Sequence, residues 1–230
     1  MTQIPSSEQP GSGTYPQRRF EPPPGATEVL LARHGQSQEY VQGSQFSLVD
    51  RQGDPPLSPL GHEQAKLLCA RLARTRIDAI YVTTLCRTAQ TAVPLVRELG
   101  LDPTVEPDLR EVYLGEWEGG LFRKMVADGH PTALRMFAEG RWDVIPGAEP
   151  SAAFGSRVRS ALDRLVERHA DQRVAVFTHG GVIGQAFAVA TGAQRMAFAA
   201  ADNASISGLV AADGRWVVRG FNDTAHLKVT

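Results

Sequence analysis

The stretch that most constrains the fold runs from Val29 to Ser37, where an apolar segment leads into Arg33, His34 and Gly35. Short continuous apolar runs are typical of buried strands. Charged and titratable side chains directly after such a strand are unfavourable in a hydrophobic core, but they are suitable for binding an anion. A capping arginine and a hydrogen-bonded structural histidine explain the motif equally well, because single short motifs are often coincidental. Gly35 is expected to let the backbone turn sharply.

Apolar strands alternate with segments of helical periodicity along the chain. Strands are predicted at about 28–33, 79–83, 104–106, 173–178, 204–211 and 215–221. Asp213-Gly214 between the last two is a hairpin signal. The pattern predicts an α/β fold: a three-layer sandwich with a mainly parallel central sheet, helices on both faces and a small helical cap insertion.

The chain divides into an arm and one domain. Residues 1–27 are rich in Pro, Gly, Ser and Gln and lack apolar periodicity, which predicts a flexible N-terminal arm. Residues 28–230 are predicted to form a single domain with a cap-like insertion at about 112–150. The polar segment 36–56 is predicted to be a long loop bordering the site, since it leaves the end of the first strand.

Composition excludes several classes of function. With 24 Lys+Arg against 25 Asp+Glu, the formal net charge is -1, so neither nucleic acid nor a membrane surface is expected as a partner. Cys69 and Cys86 form neither a disulfide framework nor a CxxC metal site. No apolar run approaches the ~20 residues that span a bilayer, and no signal peptide is recognisable. We therefore expect a cytoplasmic location.

Three motifs place polar side chains where predicted strands end. Arg33 and His34 follow the first strand, Arg87 follows the second, and His179 follows a later one. In open α/β sheets, ligands bind outside the carboxyl ends of the strands. We therefore predict a pocket for a tetrahedral oxyanion at this edge. It would be formed by two arginines, two histidines and the amino ends of the helices that begin after two of these motifs.

A zinc site is the competing use of two histidines. Zinc would need three or four nitrogen, sulfur or oxygen ligands, and two neighbouring arginines would repel the cation. The arrangement therefore favours an anion site, and neither a metal nor another cofactor is expected.

Taken in order, the motifs resemble the histidine phosphatase superfamily, which contains cofactor-dependent phosphoglycerate mutases and many phosphatases. The resemblance covers roughly residues 28–228. The matching segments are Arg33-His34-Gly35, Leu57-Ser58-Pro59-Leu60-Gly61-His62-Glu63-Gln64-Ala65, Thr83-Thr84-Leu85-Cys86-Arg87-Thr88-Ala89-Gln90-Thr91-Ala92, Leu109-Arg110-Glu111, Gly115-Glu116-Trp117-Glu118-Gly119, His179-Gly180-Gly181 and Asn222-Asp223-Thr224-Ala225-His226-Leu227.

The resemblance implies a metal-independent phosphomonoester hydrolase that acts through a phosphohistidine intermediate on His34. It implies that Arg33, Arg87 and His179 hold the phosphoryl oxygens and stabilise the transition state. Glu111 is then the general acid and, in the second step, the general base. A neutral imidazole has a free lone pair, and we expect the two arginines to disfavour its protonation.

The resemblance also implies a set of substrate-binding residues, namely Arg33, Ser37, Tyr40, Arg87, His179 and Gly180. Tyr40 stands where mutases of the family carry an asparagine, and the segment after Gly119 lacks their tyrosine- and lysine-containing stretch. These departures favour a phosphatase of small-molecule phosphomonoesters over a cofactor-dependent phosphoglycerate mutase. Apolar residues at 120–145 predict either a cap with its own small core or a less polar entrance for substrate.

Other readings of the motifs stay open. A catalytically idle relative that binds phosphorylated ligands would be expected to lack a core histidine or Glu111, and this chain retains them. The C-terminal hairpin presents a candidate edge strand, so pairing with a second copy into a homodimer is an expectation. Sugar phosphates, nucleotides, cobalamin-precursor phosphates and phosphoproteins are all compatible substrates.

Overall fold

The computed structural model describes residues 15–228. Its strands are β1 (Thr27–Arg33), β2 (Leu48–Val49), β3 (Gln52–Gly53), β4 (Ala79–Val82), β5 (Thr104–Val105), β6 (Arg173–Thr178), β7 (Ile206–Ala212) and β8 (Arg215–Asp223). The central sheet has six strands in the order β5-β4-β6-β1-β7-β8. The first four in this order are parallel, whereas β7 and β8 add an antiparallel edge. The predicted mainly parallel sheet and the C-terminal hairpin are confirmed.

Helices cover both faces of this sheet. They are α1 (Pro59–Leu72), α2 (Cys86–Leu99), α3 (Leu121–Ala127), α4 (Pro131–Glu139), α5 (Ser151–Arg168) and α6 (Gly180–Thr191). Side chains alternate along β6: Phe177 packs with α1 and α2, whereas Val176 packs with α5 and α6. The three-layer sandwich is therefore confirmed. No helix in the described part of the chain is long and apolar enough to span a membrane.

The start of α1 packs directly against the loop that leaves β1. Ser58 caps the helix by accepting a hydrogen bond from the Gly61 amide (3.1 Å), and Pro59 occupies the first turn. A Cβ at Gly35 would lie 2.5 Å from the Gly61 carbonyl oxygen. Gly35 does not adopt a positive φ, so the expected sharp turn is wrong as the reason for glycine here. The reason is the close approach of two backbones.

The loop predicted at 36–56 contains a small hairpin, in which β2 pairs antiparallel with β3. Asp50 and Arg51 form its turn with φ values of 48° and 70°. Such turns usually contain Asn-Gly or Asp-Gly, and the absence of that signal explains why the hairpin was not predicted. The hairpin brings Gln52 to the edge of the sheet that carries the predicted site.

Residues 112–150, here called the cap segment, contain α3, α4 and two 3-10 turns. A separate cluster of buried side chains holds them together: Trp117, Ala133, Met136, Val144 and Ile145. Phe122 and Trp142 pack against this cluster and also line the cavity described below. The apolar residues of the cap segment therefore form a small core of their own, as one interpretation of the sequence predicted. Some of them also form an apolar wall of the cavity.

Part of the predicted arm can be followed. Residues 1–14 lie outside the described residues, and 15–25 are exposed without helix or strand. The Gly25 amide donates to Asp171 (2.6 Å), and the Arg219 guanidinium lies 4.1 Å from the centre of the Phe20 ring. These contacts attach the end of the arm to the domain just before β1.

Candidate active site

The predicted site residues converge at the carboxyl edge of the parallel strands. Arg33 is the last residue of β1 and His34 follows it, His179 follows β6, and Arg87 is the second residue of α2, close behind β4. These three strands are neighbours in the sheet, so their ends carry side chains distant in sequence to one place. The rings of His34 and His179 are 5.2 Å apart between centres.

His34 is buried and oriented by the backbone beside it. Its Nδ1 lies 2.7 Å from the Gly35 carbonyl oxygen, and a carbonyl can only accept, so Nδ1 carries the proton in the neutral ring. The lone pair is then on Nε2, 3.3 Å from the Arg87 Nε. This long hydrogen bond leaves the Nε2 side of the ring facing the arginines.

The environment of His34 holds its ring neutral. Burial, followed by the charges of Arg87 and Arg33, lowers the pKa of His34 well below its usual 6.5. The predicted direction agrees with the structure. The two arginines were expected to be the reason, but burial is the larger cause and the arginines come second.

The two arginines are fixed by backbone carbonyls and keep donors for a ligand. Arg87 Nη1 donates to the Gly53 carbonyl (3.1 Å) and lies 3.5 Å from a carboxylate oxygen of Asp54. Arg33 Nη1 donates to the Ala201 carbonyl (2.5 Å), whereas its buried Nε has no hydrogen-bond partner among the described residues. An unpaired buried donor is costly, so this nitrogen suits an oxyanion ligand.

His179 is the second buried imidazole of the site. Its Nε2 is 3.0 Å from Thr83 Oγ1, and within the described part of the chain its buried Nδ1 lacks a hydrogen-bond partner. Burial, followed by the charges of Arg87, His34 and Arg33, lowers the pKa of His179 well below 6.5. His179 also precedes α6, whose amino end adds a partial positive charge.

Glu111 faces the same place from the start of the cap segment. Its carboxylate accepts hydrogen bonds from the Val112 amide (2.9 Å) and the Gly181 amide (3.2 Å). A Cβ at position 181 would lie 2.5 Å from Glu111 Oε1, so any larger residue there would displace the carboxylate. The Glu111 carbonyl accepts from Gln52 (2.8 Å) and Arg157 (2.9 Å), and these bonds fix the backbone that carries the carboxyl group.

These groups open into a cavity of about 370 Å³. Arg33, His34, Arg87 and Glu111 lie at its base, and Phe122 and other apolar side chains of the cap segment form a wall. Within residues 15–228, no cluster of three or more His, Cys, Asp or Glu side chains is arranged to hold a metal ion. The geometry is that of a small oxyanion site with one face suited to an organic group.

Comparison with known proteins decides the family, since the model of the histidine phosphatase superfamily (branch 1) matches residues 29–224. The chain belongs to the histidine phosphatase superfamily. This membership confirms the resemblance that the sequence motifs carried.

Individual members of the superfamily are similar over most of the chain. The metal-independent phosphoserine phosphatase of Arabidopsis thaliana is 30% identical over 205 residues, which cover 87% of this chain and 83% of that protein. A probable phosphoglycerate mutase of Yersinia enterocolitica is 29% identical over 213 residues, which cover 87% and 94%. The structure of a mycobacterial glucosyl-3-phosphoglycerate phosphatase matches with a TM-score of 0.71 and 28% identity, covering 86% of this chain and 100% of that one. The two phosphatases agree with the predicted enzyme class: the protein is a phosphatase.

The predicted substrate-binding residues of this phosphatase lie in different places. Ser37 lines the cavity, as do Arg33 and Arg87. Tyr40 packs beside Phe46, with 6.0 Å between the ring centres, and against Gly120, and it is not among the cavity-lining side chains. Gly180, the first residue of α6, lies against the Arg33 guanidinium, and neither it nor His179 is among the cavity-lining residues.

Asn203 and Arg123 are among the cavity-lining residues that the sequence did not predict. Asn203 Nδ2 donates to the His34 carbonyl (3.0 Å), which fixes the strand end from the β7 side. Arg123, on α3, reaches the cavity from the cap segment and donates to Ser37 Oγ (2.7 Å) and the Gln38 carbonyl (2.6 Å). Neither belongs to a motif that sequence spacing reveals: Asn203 stands just before the predicted strand at 204–211, and Arg123 lies in the cap segment, whose periodicity is less regular.

Because the pKa values of His34 and His179 are lowered in the folded protein, its free energy of unfolding should decrease as the pH falls. The folded state keeps both rings neutral, whereas the unfolded chain binds their protons near pH 6.5. Stability is therefore complete above that pH and is lost as pH falls below it, by about 1.4 kcal/mol per pH unit for each ring. Urea unfolding at pH 7.5 and 5.5 should show a smaller acid loss in His179→Gln than in the unsubstituted enzyme. Equal losses in the two proteins would contradict this assignment.

Proposed function

We propose that this phosphatase is a metal-independent hydrolase of small phosphomonoesters that acts through a phosphohistidine intermediate on His34. The observation that carries the proposal is the state of His34. Its Nδ1 hydrogen is directed to the Gly35 carbonyl, its Nε2 lone pair faces the arginines, and its pKa is lowered. A neutral, oriented imidazole at the base of an oxyanion site suits attack on phosphorus.

In the first step, His34 Nε2 attacks phosphorus and forms a P–N bond while the bond from phosphorus to the ester oxygen breaks. Glu111, in its protonated form, gives its proton to the departing oxygen. The guanidinium groups of Arg33 and Arg87 and the His179 ring bind the phosphoryl oxygens, whose negative charge is spread in the transition state. The site needs no metal for this, because the arginines supply the positive charge.

In the second step, water attacks the phosphohistidine and the P–N bond breaks. Glu111, now a carboxylate, accepts the proton of this water, so that the acid of the first step is restored. His34 leaves as the neutral ring with which the cycle began, and inorganic phosphate is released. Each group is used twice, and atoms and charges balance over the two steps.

The test is phosphate release from a panel of phosphomonoesters in the presence of EDTA, with isomerisation of 3-phosphoglycerate assayed in parallel with and without 2,3-bisphosphoglycerate. We expect release that EDTA does not reduce, and no isomerisation. Loss of release in EDTA that an added divalent metal restores would contradict the metal-independent mechanism. Isomerisation that depends on the bisphosphate would show that the enzyme is a mutase instead.

A further inference from the structure

The cavity contains a third arginine that the phosphoryl chemistry does not require. Arg123 lies on α3 in the cap segment, and its guanidinium reaches into the cavity opposite the strand ends. Arg123 as a whole is exposed, but desolvation of its guanidinium, followed by the charges of Arg87 and Arg33, lowers the pKa of Arg123. The other two arginines therefore repel it, and an anion bound between them would relieve this repulsion.

Arg123 has only neutral partners within the described residues. Its two terminal nitrogens donate to the Ser37 hydroxyl and the Gln38 carbonyl. Of the carboxylates that line the cavity, Glu118 accepts from the amides of Gly53 and Leu114 and Glu111 accepts from those of Val112 and Gly181. Glu39 is exposed and, within residues 15–228, forms no ion pair with Arg123. Arg123 thus adds a positive charge to the cavity that no carboxylate of residues 15–228 pairs with.

The place of this charge indicates what it binds. In the proposed reaction, a phosphoryl group on His34 would be held by Arg33, Arg87 and His179, which stand at or just behind the strand ends. Arg123 comes from the cap segment, next to Phe122, and its partners Ser37 and Gln38 lie in the loop after β1 rather than at the strand ends. It is therefore placed for the part of the substrate away from the phosphoryl group. A guanidinium presents two parallel donors that match the two oxygens of a carboxylate.

We infer that Arg123 binds a carboxylate in the leaving group, so that phosphomonoesters of small carboxylic acids are the preferred substrates. The inference rests on the proposed phosphatase function and specifies its substrate class. The cavity of about 370 Å³ accommodates such a compact ester. The carboxylate neutralises Arg123 while the phosphate neutralises the arginines below, so the cavity's excess positive charge selects a substrate with two anionic groups.

The kinetic test compares substrates that differ only by the carboxylate. Phosphoserine is paired with phosphoethanolamine, and 3-phosphoglycerate with glycerol 3-phosphate. We expect the acid of each pair to be preferred at least about 10-fold in kcat/KM, because a hydrogen-bonded charge pair contributes that much or more. Arg123→Gln should lower kcat/KM about 10- to 100-fold for the acids, chiefly through KM, and less than about threefold for their partners. Arg123→Lys should fall between.

Lys124→Gln is the matched control. It removes the same charge from the neighbouring position of α3, where Lys124 pairs with Asp128 rather than lining the cavity. This control should leave the acid preference unchanged. Equal loss for acids and non-acids in Arg123→Gln would overturn the inference, since Arg123 would then act on the phosphoryl group or on the loop at Ser37. Equal rates for the paired substrates in the unsubstituted enzyme would also overturn it.

A binding measurement separates this inference from the proposed reaction. The phosphonate 2-amino-4-phosphonobutyrate retains the carboxylate and 3-aminopropylphosphonate lacks it, and neither can be hydrolysed. Calorimetry should show tighter binding of the first by at least about 10-fold, and this difference should disappear in Arg123→Gln. Absence of that difference overturns the carboxylate inference, whereas absence of phosphate release from every ester overturns the proposed hydrolysis.

Discussion

Replacement of His34 by alanine should reduce kcat by at least about 10⁴-fold, because the reaction loses the atom to which the phosphoryl group is transferred. Arg33, Arg87 and His179 remain, so we expect the variant to bind inorganic phosphate or vanadate, whose oxygens these side chains hold. The loss should therefore appear in kcat rather than in affinity. Phosphate release from a phosphomonoester, with the Kd for vanadate measured in parallel, distinguishes the two.

The control for this variant is His62→Ala. His62 is an exposed residue on α1, so its replacement removes an imidazole without changing the cavity. This variant should turn over at the normal rate and have an unchanged Tm. If His34→Ala retained even a tenth of the normal rate, His34 would not be the nucleophile.

Replacement of Glu111 by glutamine should slow the enzyme in a manner that depends on the leaving group. For an alkyl ester such as glycerol 2-phosphate we expect kcat/KM to fall about 10²- to 10⁴-fold, because an alkoxide leaves poorly without a proton. For p-nitrophenyl phosphate we expect a loss below about 10-fold, because that leaving group is stable as an anion. The ratio kcat/KM is the proper measure, since it reports only the steps up to departure of the alcohol.

Glu116→Gln is the matched control, because Glu116 lies in the neighbouring motif but is exposed and does not line the cavity. Its kcat/KM values should equal those of the unsubstituted enzyme for both esters. Glu111→Gln keeps the hydrogen bonds that orient the side chain only in part, since the amide has one acceptor oxygen where the carboxylate uses two. A uniform loss for both esters would therefore indicate misplacement of the site rather than loss of an acid.

The convergence of the site was predictable because it follows from elementary properties of the sheet. Apolar runs mark the strands, and parallel strands bring their carboxyl ends together, so Arg33, His34 and His179 could be placed at one edge without coordinates. Glu111 could be assigned a role only through the family resemblance, since nothing in its local sequence places it beside α6. The structure explains that placement by the glycine at 181.

What could not be predicted depends on contacts between distant segments. Arg123 enters the cavity because the cap segment folds back over the loop after β1, and no spacing in the sequence shows this. Tyr40 packs against Phe46, a contact that no spacing in the sequence shows, and its predicted contact with substrate stays a prediction. Burial, the main cause of the lowered pKa of His34, is likewise a property of the assembled layers. The homodimer, the cytoplasmic location and the flexibility of the arm stay predictions of the sequence.

The most direct test of the mechanism is to trap the phosphorylated enzyme. The enzyme is mixed with an excess of 32P-labelled substrate and denatured in alkali within its first turnovers, since a P–N bond survives alkaline conditions, and the label is located by peptide mass spectrometry. We predict phosphate on His34 alone, none in His34→Ala, and more of it in Glu111→Gln with p-nitrophenyl phosphate, because the second step also needs this carboxylate. Turnover without any label on His34, or label on another residue, would contradict the mechanism.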